Sequence, residues 1–63
     1  MSLRLYVEPM DAVVVEVSDD GRVRLEDEGF AIPTLQERRA ILYAAKGEIE
    51  ALTELVDILE RQL

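Results

Sequence analysis

Any chemistry in this chain has to come from carboxylates, hydroxyls and arginines, because its 63 residues include no Cys and no His. That removes the thiol nucleophile, the disulfide framework and the usual zinc ligands together. Asp19, Asp20, Glu26, Asp27 and Glu28 form the densest acidic grouping, and carboxylates are the ligands that calcium prefers. Their spacing is not that of an EF-hand loop. Asp19-Asp20 before Gly21 is turn chemistry, and Glu26 to Glu28 end an alternating apolar segment. Solvated surface is the expectation, with no metal site. Paired carboxylates act as general acid and base only where a pocket separates their pKa values, and a chain this short hardly encloses one. Ser occurs only at positions 2 and 18, so no Ser-based triad forms. No enzymatic activity, no catalytic residue and no cofactor are expected.

The arginines raise a different chemistry. Arg22, Arg24, Arg38 and Arg39 are the best basic grouping, yet 14 acids against 7 bases leave a net charge of −7, which opposes binding to phosphates. The segment Val15-Glu16-Val17-Ser18-Asp19-Asp20-Gly21-Arg22-Val23-Arg24-Leu25 resembles, over 11 of the 63 residues, the strand-turn-strand opening of AbrB-type swapped-hairpin regulators and antitoxins. That resemblance implies a DNA-contacting role. In that pattern a proline and a basic helix follow, whereas here Glu26-Asp27-Glu28 follows and no second hairpin appears. The arginines are therefore expected to balance Glu16 and neighbouring acids, and nucleic acid is not an expected ligand. Tyr6 and Tyr43 are the remaining polar aromatics. Tyr6 suits a partner contact, but packing across the sheet against Val14 is the simpler expectation.

Size then limits what can position these residues. One domain spans 1–63, and a chain this short is marginal alone, so with disulfides and metals excluded a partner subunit is the remaining source of stability. No apolar run, Ala12 to Val15 included, approaches the ~20 residues of a membrane span. No membrane association is expected, and a soluble cytoplasmic protein is the default. The size is compatible with an accessory protein of a phage or mobile element.

The two halves differ in period. Over residues 3–28, Leu3, Leu5 and Val7 alternate with Arg4, Tyr6 and Glu8, and Ala12 to Val17 forms a second β-branched run. A three-residue loop ending in a left-handed Gly21 sets Val17 opposite Val23 and Val15 opposite Leu25; a two-residue loop would set Val17 opposite Arg24. A similar loop at Pro9-Met10-Asp11 sets Val7 opposite Val13, Leu5 opposite Val15 and Leu3 opposite Val17. The other face then aligns Arg4, Glu16 and Arg24. A three-stranded antiparallel meander results. Residues 29–33 are a connector whose Phe30 and Ile32 plug the seam between sheet and helix.

In residues 34–63 the period becomes seven. Thr34 and Glu37 read as a capping box. Beyond it Leu35, Leu42, Ile49, Val56 and Leu63 occupy heptad a positions, with Ala45, Leu52 and Leu59 at d and Ile41 and Leu55 at g. Only Arg38 breaks the a/d pattern. The spacing runs through Gly47 at an outward f position, so one long helix is expected. Such a helix is ~45 Å long against strands of ~20 Å, and one sheet cannot cover it. The fold class is therefore α+β: a meander and one long helix, assembled as a homo-oligomer through Leu35, Leu42, Ile49, Leu52, Val56, Leu59 and Leu63. From Thr34 to Glu48 the helix sums to +1 and from Ile49 to Leu63 to −3, which favours antiparallel packing. The expected role is a non-enzymatic oligomerising scaffold or adaptor that binds another protein. The alternative is a regulator of nucleic-acid machinery, either an antitoxin-like transcription factor or an acidic inhibitor that mimics DNA.

Overall fold

Period-two alternation does produce strands, and the capping box does start a helix, but the sheet has four strands and not three. The computed structural model describes residues 1–63 as β1 (Ser2–Val7), a 3₁₀ turn (Glu8–Met10), β2 (Ala12–Val17), β3 (Val23–Leu25), β4 (Phe30–Ala31) and α1 (Leu35–Arg61). The sheet is antiparallel with strand order β1-β2-β3-β4. β4 falls inside the segment expected to be a plain connector. Val23 pairs with Ala31 and Arg24 with Phe30. Phe30 and Ile32 are 45% and 69% exposed and plug no seam; Pro33 is the buried residue of this segment.

The β2–β3 loop follows the parity argument: Gly21 has φ +88° and Val17 faces Val23. The β1–β2 loop does not. Pro9 favours a helical turn, which Asp11 closes in the left-handed region at φ 47°, its N–H bonded to the Glu8 carbonyl at 3.0 Å. The loop therefore takes four residues. Val7 faces Ala12, Tyr6 faces Val13 and Leu5 faces Val14, where Val13, Val14 and Val15 were the expected partners.

Two irregularities then restore the apolar face. Against β1, the single Val15 faces the two residues Leu3 and Arg4; against β3, Val15 is the extra residue between the Glu16–Arg24 and Val14–Leu25 pairs. Leu25 thus faces Val14 and not Val15. Such bulges shift the parity of a strand, so Val14 and Val17 both point inward. The core is Leu5, Val7 and Val14, with Leu3, Met10, Val17 and Leu25 packed against it from the sheet side.

α1 begins as its sequence dictates. The Glu37 N–H donates to Thr34 Oγ1 at 3.1 Å and the Thr34 N–H to Glu37 Oε1 at 2.8 Å. The helix runs unbroken through Gly47, where an added Cβ would meet nothing within 4 Å. It lays Ala40, Ile41, Ala44 and Ala45 on the sheet. Every residue from Lys46 onward is exposed. At ~1.5 Å per residue the helix is ~40 Å long, and it sets the 43 Å long dimension of a molecule only 20 Å across.

Candidate interaction surface

Part of the polar set that carried the first chemical readings is paired, namely Asp20, Glu26, Arg22 and Arg24, whereas the side chains of Asp19, Asp27, Glu28, Arg38 and Arg39 make no ion pair, so the last two arginines balance no acid of the sheet. Arg24 Nε lies 3.0 Å from Glu16 Oε1 across β2 and β3. Arg4 does not complete a row with that pair, because it reaches Glu26 instead. Arg22 pairs with Asp20 at 3.3 Å. Asp20 also accepts from the Ser18 hydroxyl and from the Arg22 N–H. The Ser18 bond, the Arg22 N–H and the Arg22 charge hold the Asp20 carboxyl below the ordinary aspartate range. Tyr6 Oη donates to Asp11 Oδ1 at 3.0 Å; that bond and the Asp11 charge push the phenol above its ordinary value. No three acidic side chains converge as metal ligands would. Tyr6 is cross-strand from Val13, and Val14, its expected neighbour, is fully buried on the opposite face.

The apolar residues are arranged quite differently. Leu35, Leu42, Ile49, Leu52, Val56 and Leu59 lie along one flank of α1, between 51% and 63% exposed, and Leu63 lies beyond the last turn. Ala45 is the one d residue of this stripe that packs on the sheet. The heptad stripe is therefore not the helix's own core face. The sheet-facing row is the neighbouring one, built from alanines and Ile41, of which only Ile41 stands out as a large apolar residue in the sequence. Leu55 and Ile58 are also exposed, at 49% and 40%. Ile58 occupies a c position, so a reading confined to a, d and g positions passes it over.

The flank of α1 opposite the heptad stripe carries a shallow groove between Tyr6, Pro9, Ala40, Tyr43, Ala44 and Gly47. Tyr43 stands at its rim, 82% exposed. Glu8 and Glu48 give it acidic edges. No helix is long and apolar enough to cross a membrane. No known protein family, curated protein or solved structure matches the chain.

Proposed function

We propose that this is a non-enzymatic scaffold or adaptor that assembles with copies of itself through α1 and binds another protein with the surface left free. The observation that carries the reading is the contrast between a core of three apolar residues and a helix flank with six large aliphatic side chains half in water. Burying such a side chain fully stabilises by about 1.5–3 kcal/mol. Half of that over six side chains is about 4–9 kcal/mol, comparable with the whole stability of a small domain at about 5 kcal/mol. A contiguous apolar strip of this length on one face marks an interaction site. The opposite flank, with Tyr6 and Tyr43, stays accessible in such an assembly and suits a second protein.

The regulator of nucleic-acid machinery is the weaker reading. Arg4 and Arg24 in the strands and Arg22 in the β2–β3 loop are each tied to a carboxylate, and the chain is acidic. Light scattering tests the assembly. The native chain is expected to be at least a dimer at micromolar concentration, and Ile49→Asp, which places a charge in the middle of the flank, is expected to shift it to monomer with its far-UV circular dichroism at low temperature retained. A native monomer that melts cooperatively refutes the reading.

A further inference from the structure

Heptad positions account for Leu42, Ile49, Leu52, Val56 and Leu59 but not for Ile58, and Leu55 only borders them. These two belong to another row. The α1 residues on the sheet are Ala40, Ile41, Ala44 and Ala45; continuing along that face by steps of three and four leads through Glu48 to Ala51, Leu52, Leu55, Ile58 and Leu59. The helix thus keeps its sheet-facing apolar face for about three turns beyond its own sheet. Only Leu52 borders the chain's own sheet, across an open groove with Leu3 and Leu5, and the residues beyond it are exposed.

The sheet has the complementary defect. Two grooves, of about 280 and 220 Å³, open on the heptad flank of α1. Leu3 and Leu5 line one with Ile49 and Leu52, and Val17 and Val23 line the other with Ile41 and Leu42. One helix covers the 3₁₀-turn end of the sheet and leaves the end bearing Leu3, Val17 and Val23 partly open.

We infer that a second copy corrects both defects. Two chains form a two-fold dimer whose helices pack antiparallel about an axis between Glu50 and Ala51, and the C-terminal half of each helix lies across the open end of the other copy's sheet. This rests on the self-assembly proposed above and adds direction, register and the sheet contact. Matching a to d positions in an antiparallel pair sets Leu42 against the second copy's Leu59, Ala45 against its Val56 and Ile49 against its Leu52. The e positions then face each other, which brings Arg39 to the second copy's Glu60, twice by symmetry. A parallel pair instead matches g with e, giving Ile41 with Lys46, Glu48 with Thr53 and Leu55 with Glu60. It gains no ion pair and aligns the two halves of charge −3. The heptad stripe lies roughly a quarter-turn from the sheet-facing row, so the two-fold axis stands normal to the helix pair and keeps both sheets on one side of it. Leu55 and Ile58 of each chain then descend over Leu3, Val17 and Val23 of the other.

The experiment has three arms. Light scattering on the native chain is expected to give a dimer; a monomer removes the self-assembly reading and this arrangement together. The double variant Leu42→Cys/Leu59→Cys is expected to oxidise to covalent dimers, and Leu42→Cys alone to give at least fivefold fewer. Within one chain the two positions are ~25 Å apart along the helix, beyond the ~7 Å Cα separation a disulfide spans. A dimer that cross-links through Leu42→Cys alone overturns the antiparallel direction while self-assembly stands. Sedimentation of Leu55→Glu, in which the new charge is exposed in the single chain, is expected to show dimer affinity at least tenfold weaker. Glu54→Gln, on the far flank, is expected to stay within threefold of native. Native affinity in Leu55→Glu overturns the contact between helix and partner sheet.

Discussion

Gly21 and Gly47 show how one residue type carries opposite value at two places. Gly21 sits at φ +88°, a backbone conformation that β-branched side chains tolerate badly, even though an added Cβ there would touch nothing. Gly21→Val is expected to cost about 1–3 kcal/mol through backbone strain alone, read as a lower urea midpoint. Gly47 lies in a helix interior with equal free space. Gly47→Ala is expected to stabilise by about 0.5–1 kcal/mol. Beside Gly21, Asp20 is held ionised by the Ser18 hydroxyl first and by Arg22 second. Its folded-state pKa is depressed, so its contribution is present above the usual aspartate range and is lost as pH falls through the lower folded value. In an NMR titration Asp20 is expected to have a midpoint below the ordinary aspartate value, and Ser18→Ala is expected to raise it. Gly21 was legible in the sequence because glycine next to Asp-Asp names the left-handed residue of a short loop. Asp11 was not, since Pro9-Met10-Asp11 contains no glycine to announce its positive φ.

At the scale of elements, legibility followed the strength of the local signal. The capping box can be read from two residues at fixed spacing, Thr34 and Glu37, and the structure shows both of its hydrogen bonds. Thr34→Ala removes one of them and leaves the Glu37 N–H at the helix start without its acceptor. It is expected to cost about 0.5–2 kcal/mol, measured by thermal melting followed at 222 nm, with Thr34→Ser restoring most of the loss. β4 had no such signal: two residues, Phe30 and Ala31, between Gly29 and Pro33 show no alternation. The bulges around Val15 were equally hidden, because the four consecutive apolar residues from Ala12 to Val15 look the same in either parity. The inward set of β2 was therefore misassigned at Val13 and Val15, while Val17 and the Glu16–Arg24 pair were placed correctly. On the interaction surface the same limit applies. A seven-residue repeat reveals Leu42 and Ile49 at once, but which neighbouring row meets the sheet depends on how α1 lies across β1, and no local pattern encodes that.

For the whole molecule, the consequence of a three-residue core is that folding and association are expected to be linked. A folded state held together by a second copy gains stability with concentration. Each tenfold dilution of the native chain is expected to lower Tm by about 3–6 °C, and Ile49→Asp is expected to melt at one temperature regardless of dilution. The strand order adds a kinetic side to this. Because β1, β2, β3 and β4 lie in the sheet in the order in which they occur along the chain, each ladder closes over a short loop, and the largest entropic obstacle to fast folding, the distant strand pairing, is missing. The subunit can therefore reach its native topology quickly, whereas two chains must still meet by diffusion. On refolding from urea, the sheet should form in a rapid phase independent of concentration, and the exposed turns of α1 should gain their full protection from hydrogen exchange only in a slower, second-order phase. Proteolysis in that interval should strike the C-terminal half of the helix first.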